Sequence, residues 1–172
     1  MDKKQTLNLL QIFWTSEIVA DNLYSSLAAR YNDNKLKKAI IHIGEMERGH
    51  AHVWNKIATD VHGVSFHVSI FLKIKILLMK LLSFVLPFTI FIHYMEHEER
   101  NAILEYSKLL DIYRDNENVR KIIMNIIKQP KIRLEMNTQI SACLIYPHYE
   151  KEEDKKTNDT FLIMPLRIME EN

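Results

Sequence analysis

The stretch that decides the fold is EIVADNLYSSLAARYNDNKLKKAIIHIGEMERGH, residues 17–50, because the chain repeats it. Residues 99–132 read ERNAILEYSKLLDIYRDNENVRKIIMNIIKQPKI, and the two stretches align without a gap at a shift of 82 residues, with 10 identities in 34 positions. The identities include the glutamates that open the two copies, Glu17 and Glu99. Each copy predicts a helix that carries Glu-x6-Tyr, a turn at Asp-Asn and a second helix. We therefore predict a duplicated helical hairpin.

Helical periodicity extends beyond the two copies. Apolar residues recur at helical spacing over about 6–31, 35–59, 87–113 and from about 117 towards 146, with Pro130 predicting a kink near residue 128. The chain has only 3 glycines and 4 prolines, which suits helices and does not suit a turn-rich β fold. The expected fold is all-α: an antiparallel four-helix bundle with internal duplication and a short extra helix between helices 2 and 3.

Composition bounds the class of protein. A chain of 172 residues with 47% hydrophobic and 26% charged residues has the balance of one soluble globular domain, which we assign to 1–146, with a charged linker and a short apolar tail over 147–172. A net charge of +1 does not indicate the basic surface that a nucleic-acid-binding protein needs. The single cysteine, Cys143, excludes an intrachain disulfide and a cysteine-based metal site. With an N-terminus that reads as a helix start rather than a signal peptide, we expect a cytoplasmic location.

The segment 66–94 is very apolar, but Lys73, Lys75 and Lys80 interrupt it and Pro87 divides it. Its longest uncharged run has 12 residues, too few to span a bilayer. A longer span would bury the three lysines at a cost of roughly 2.5–3.5 kcal/mol each near its centre. We favour a connecting helix followed by the buried start of the third core helix. The alternative is a surface helix that lies on a membrane with its lysines on the polar face.

One motif in the first copy indicates metal chemistry. Residues 47–50 read Glu-Arg-Gly-His, and the i, i+3 spacing puts the glutamate and the histidine on one face of a helix. Two-metal four-helix bundles take one glutamate from each of two helices and Glu-x-x-His from each of the other two. Glu17 and Glu99 supply the single glutamates, whereas Gln129 and Ile132 stand where the second Glu-x-x-His is expected. The pattern predicts a two-metal site with one quarter lost.

At these residues the chain resembles the rubrerythrin and ferritin-like superfamily, and most closely the rubrerythrin-like domains that also occur fused to membrane iron transporters. The resemblance covers about 6–146. It implies a non-haem di-iron site that reduces peroxide, activates oxygen, or oxidises and stores iron. The rubredoxin-like module with four cysteines, typical of the family, has no counterpart here, so the resemblance implies a separate electron-donor protein. We also expect a homo-oligomer, as a dimer.

Nearby glutamates offer substitutes for the metal ligands that the family pattern has and this chain lacks. Related folds use an extra glutamate three residues before the ligand of the third helix, where Glu96 lies, and Glu135 follows Ile132 by one helical turn. The candidate metal ligands are Glu17, Glu47, His50, Glu96, Glu99 and Glu135, with Tyr24 and Tyr106 as expected hydrogen-bond partners of the ligating carboxylates. Iron is the expected metal, as one or two ions, with zinc or manganese as alternatives.

Two functions follow from this pattern. One is a metalloprotein that acts on peroxide, oxygen or ferrous iron, as a non-haem iron oxidoreductase of the peroxidase or ferroxidase type. The other is a non-catalytic, degenerate ferritin-like scaffold or membrane-associated partner protein. A plainer interpretation also stands for the motif residues: Glu17, Glu47 and His50 would lie on solvated helix faces, and Trp14 and Trp54 would only fill the core.

Overall fold

The computed structural model describes residues 2–32 and 34–128, and this part of the chain contains helices and no strand. The helices are α1 (Lys3–Ala28), α2 (Asn34–His62), α3 (Ile70–Val85) and α4 (Phe88–Ile112), followed by α5, which is helical over 117–128. The all-α class is confirmed for the described residues, and the extra helix stands where it was expected. The complete four-helix bundle and its duplication stay predictions, and the domain boundary at 146 lies outside the described residues.

Local sequence signals set the helix ends. At the start of α1, the Asp2 side chain accepts a hydrogen bond from the Gln5 backbone N–H at 2.7 Å, and the Gln5 side chain accepts one from the Asp2 N–H at 3.1 Å. This reciprocal pair is a capping box. Gly63 follows the last residue of α2 with a φ of 71°, a left-handed conformation that favours glycine. Asn116 caps α5 by accepting a hydrogen bond from the Val119 N–H at 3.1 Å.

Helix α1 is the centre of the fold, because it packs against α2, α3 and α4. It pairs antiparallel with α2: Glu17 lies beside His50, and Asp21, one turn later in α1, contacts the earlier residue Arg48. The sequence predicted this hairpin from its short polar turn. It brings the two motif-bearing helices of the first copy face to face.

Two hydrophobic clusters fill the interior. The first is aromatic and includes Phe13, Trp54 and Tyr106, whose ring centroids lie 4.8–5.3 Å apart. The second is mainly aliphatic and joins Leu23 of α1 to Met95 of α4. Because α4 begins beside the end of α1 and reaches Phe13 only near its own end, the two helices run antiparallel. The boundary between the two clusters lies near Glu17 in α1 and near Glu47 and His50 in α2.

Helix α3 connects the hairpin to α4 along the outside of α1. It buries Leu72 and Ser83, and α4 then begins with Phe91 and Met95 in the core, as the favoured interpretation of this segment predicted. Among the described residues, no helix has both the length and the apolar character needed to cross a membrane.

A partly buried pair joins the end of α2 to the end of α4. His62 Nε2 and the Tyr113 hydroxyl lie 2.7 Å apart. Burial raises the pKa of Tyr113 from 10.0 to about 12. Burial, with the charge of Lys3, lowers the pKa of His62. Around neutral pH both groups are therefore uncharged and share a hydrogen bond.

Because the pKa of Tyr113 is raised, we expect the free energy of unfolding to fall in alkaline solution. Between pH 10 and 12 the unfolded chain releases the Tyr113 proton and the folded chain keeps it, so the contribution of this group is complete below pH 10 and is lost as pH rises through 12. The loss is roughly 2–3 kcal/mol in the free energy of unfolding. Urea unfolding of the wild type and of Tyr113→Phe across this range measures it. Parallel pH profiles for the two proteins would contradict the prediction.

Candidate metal centre

Three of the candidate ligands meet in the core of the α1–α2 hairpin. Glu17 comes from α1, and Glu47 and His50 come from α2, where the i, i+3 spacing puts both on the face that meets α1. Their exposed fractions are 5%, 1% and 4%, so none of the three lies on a solvated helix face. The plainer interpretation of these residues is therefore wrong.

The polar atoms of the three side chains face one another. His50 Nδ1 lies 3.8 Å from Glu17 Oε1 and 3.7 Å from Glu47 Oε2. One ligand atom from each residue lies within 4.8 Å of the others. Ligands of one ion stand about 3–4 Å apart when each bond is about 2.0–2.2 Å long, so these separations suit a shared metal ion. Two carboxylates and one imidazole form a donor set that suits iron, zinc or manganese.

Two further buried side chains orient Glu17. The Tyr106 hydroxyl donates a hydrogen bond to Glu17 Oε1 at 3.1 Å, and the Trp54 indole N–H donates one to the same oxygen at 3.4 Å. Donors of this kind stabilise a carboxylate in apolar surroundings and fix its direction. The contact of Tyr106 is the one expected from the sequence. Trp54 was predicted only to fill the core, and it does so while also binding Glu17.

Tyr24 of α1 is fully buried and faces Gly44 of α2. A Cβ on Gly44 would stand 3.3 Å from the Tyr24 Cβ and 3.5 Å from the Asp21 carbonyl oxygen. Glycine at this position therefore sets the helix separation one turn from Glu47. A hydrogen bond from Tyr24 to a ligating carboxylate stays a prediction.

Of the remaining candidate ligands, Glu96 has a described side chain, and it is not part of this group of three. Glu96 lies in α4, partly buried, and forms an ion pair with the exposed His93 at 3.6 Å. Glu99 belongs to α4, but its side chain lies outside the described part of the structure. Glu135, Gln129 and the kink expected at Pro130 also fall outside the described residues.

An ion pair beside the three residues was not anticipated from the sequence. The Arg48 guanidinium donates two hydrogen bonds to the buried Asp21 carboxylate, at 3.0 and 3.1 Å. These bonds, with the charge of Asp21, raise the pKa of Arg48. The pair links α1 to α2 one helical turn from Glu17. A sequence signal existed, because Asp21 follows Glu17 by four residues and shares its helix face.

We expect the Tyr106 hydroxyl to tune metal binding. Tyr106→Phe removes the hydroxyl that donates to Glu17 and leaves the ring in the aromatic cluster. Metal affinity should fall about 10–100-fold, the range found when an outer hydrogen-bond partner of a ligand is removed. Competition titration with a chelator measures the change. Tyr113→Phe is the matched control, because that buried tyrosine bonds His62 instead; equal losses in both variants would contradict the role of Tyr106.

The chain matches no protein-family model, no curated protein and no solved structure. Its function is therefore inferred from its residues and their geometry.

Proposed function

We propose that this chain is a rubrerythrin-like metalloprotein of the ferritin-like superfamily that holds iron at Glu17, Glu47 and His50. The observation that carries the proposal is the burial of two carboxylates against one imidazole inside an apolar core. Burying such groups is costly unless they are paired or coordinate a metal. A divalent cation among them would offset that cost with ligand bonds and charge neutralisation.

The arrangement of the helices supports the same proposal. Tyr106, from the second copy of the repeat, donates a hydrogen bond to Glu17 of the first copy. At a shift of 82 residues, Tyr106 corresponds to Tyr24 and Glu17 corresponds to Glu99. The repeat thus predicts a reciprocal pair of Tyr24 with Glu99. Such crossed contacts are what a duplicated hairpin around one central site requires.

Each side chain has a distinct part in the proposed centre. Glu17 and Glu47 supply negative charge to the metal, and His50 supplies a neutral nitrogen donor. Trp54 and Tyr106 hold the Glu17 carboxylate in place and keep water away from it. Iron bound there would supply one-electron chemistry towards peroxide or oxygen, or would itself be oxidised as the substrate of a ferroxidase. A donor protein for electrons and a homodimeric assembly belong to the same proposal.

The second candidate function is a degenerate scaffold that has lost catalysis. The observation in its favour is the sequence at the fourth-helix ligand positions, where Gln129 is a poor iron ligand and Ile132 is none. If the chain is instead the metalloprotein, the same losses imply a mononuclear or asymmetric centre rather than a symmetric di-iron one, with weak peroxidase or ferroxidase activity at best. The scaffold and the metalloprotein differ first in metal content.

The direct test is metal stoichiometry. The purified chain is incubated anaerobically with ferrous iron, zinc or manganese, freed of excess metal, and measured by elemental analysis. We expect about one tightly bound ion per chain, since the fourth-helix motif is lost. Absence of bound metal after reconstitution with each of the three ions would overturn the metalloprotein proposal and leave the scaffold.

Restoring the missing Glu-x-x-His motif of the second copy tests the ferritin-like assignment separately. We expect the variant Gln129→Glu, Pro130→Ala, Ile132→His to raise the stoichiometry from about one ion towards about two, because it restores Glu-x-x-His to the second copy. Pro130→Ala alone is the control, since it changes the helix without adding a ligand. Two tightly bound ions in the unmodified chain would show that other residues already complete the site.

A further inference from the structure

Helix α3 carries an apolar face that the described protein leaves uncovered. Nine large apolar side chains between Ile70 and Val85 are exposed, from 45% at Leu82 to 80% at Phe71. Isolated exposed apolar residues are ordinary on a protein surface, but a continuous row of them along one helix marks a contact surface. The helix is apolar on nearly all sides, which is typical of a helix covered on both faces.

The lysines of α3 lie along the borders of this apolar face. At 100° per residue, Ile74 and Leu81 point away from Leu72 and Ser83, the residues buried against α1. Lys75 falls on one border of the outward face, and Lys73 and Lys80 fall on the other. The helix IFLKIKILLMKLLSFV has no acidic residue. An apolar face bordered on both sides by lysines is the pattern of a helix that lies in a lipid–water interface.

The protein holds α3 firmly against its body. Ser69 caps the start of the helix by accepting a hydrogen bond from the Leu72 N–H at 3.2 Å. Near the other end, the Ser83 and Ser26 hydroxyls share a hydrogen bond of 3.1 Å. The Arg30 guanidinium donates to the carbonyl oxygens of Ser83 and Leu86 and so satisfies the end of the helix. The apolar face is thus presented as a fixed surface.

We propose that α3 docks the protein onto an anionic lipid surface, with the helix axis in the plane of the membrane. The helix has 16 residues and is about 24 Å long, shorter than the hydrocarbon core of about 30 Å. The outward apolar side chains enter the acyl boundary, while the lysine stems run along it and place their ammonium groups among the phosphates. This docking is independent of the proposed metal centre and goes beyond it.

Charge favours lipid over a second copy of the chain as the occupant. Two copies that met through α3 would bring together the lysines of both helices, and neither helix offers a carboxylate to pair with them. Phosphate headgroups supply the missing negative charge all along the helix.

Vesicle co-sedimentation of the full chain tests the proposal. We expect strong binding to vesicles of phosphatidylcholine with phosphatidylglycerol, weak binding to phosphatidylcholine alone, and release as salt concentration rises. Lys73→Gln, Lys75→Gln, Lys80→Gln should lower partitioning onto the anionic vesicles by up to about 100-fold, since each lysine near such a surface contributes about fivefold.

The apolar face is tested by Leu77→Glu, Leu81→Glu, which should lose vesicle binding and keep its helical circular dichroism and metal content. The matched control is Ile12→Glu, Leu104→Glu, at positions 59% and 67% exposed on α1 and α4, which should still bind. The proposal is overturned if the wild type does not bind anionic vesicles, or if the α3 variant binds them as well as the control variant does. A wild-type dimer that the α3 variant dissociates, without vesicle binding, would assign the face to a second copy.

Discussion

Replacing Glu47 and His50 together with alanine is expected to reduce the metal content of the purified chain from about one ion to none. The two substitutions remove two of the three donors that meet between α1 and α2, and Glu17 alone cannot hold a divalent ion against water. Elemental analysis after gel filtration measures the result. Chelator competition gives the affinity where a trace of metal remains.

The matched control is Glu45→Ala with His52→Ala on the same helix. Both residues are exposed, so this variant loses the same two side-chain types at the same net change of charge. It should keep its metal. Unchanged metal content in the Glu47, His50 variant, or equal loss in the two variants, would refute the assignment of the centre.

The second large effect concerns stability. A metal that binds the folded chain and not the unfolded chain raises the free energy of unfolding by about 4 kcal/mol at a free concentration of 1,000 times Kd. For a chain of this size, the melting temperature should rise by roughly 10 °C. Thermal unfolding followed by circular dichroism, with and without ferrous iron or zinc, measures the shift.

The Glu47→Ala, His50→Ala variant separates this effect from binding elsewhere. It should show no metal-dependent shift when its melting is compared with and without metal, because two of the three donors are gone. A shift that persists in this variant would place the metal at other residues, such as the exposed histidines. The absence of any shift in the wild type would leave the centre without a bound metal.

The sequence predicted the local features well because they depend on short-range rules. Helical periodicity and turn residues placed α1, α2 and α4 within a few residues of their observed bounds. The i, i+3 spacing predicted that Glu47 and His50 share a face. The internal repeat identified Glu17 as a third candidate ligand, although no rule based on local sequence requires this residue to be buried.

Other features depend on packing between helices and could not be predicted from the sequence. The repeat equates Ile41 with Ile123, yet Ile41 is exposed and Ile123 is fully buried. The second helices of the two copies therefore turn different faces inward, so identity in the alignment does not ensure the same environment. Likewise, no spacing rule links Trp54 to Glu17, because their contact depends on how α2 is rotated against α1.

The placement of the three ligand residues within residues 17–50 bears on how the centre assembles. Groups close together in the chain meet after a short loop closure, so this part of the structure has low contact order and forms fast. Both helices of the hairpin also precede α4 in the chain, and synthesis begins at the N-terminus. We therefore expect the three side chains of the candidate centre to meet first, and Tyr106 of α4 to form its hydrogen bond with Glu17 later. On this order, the candidate centre would be open to a metal ion from solution before α4 closes over it.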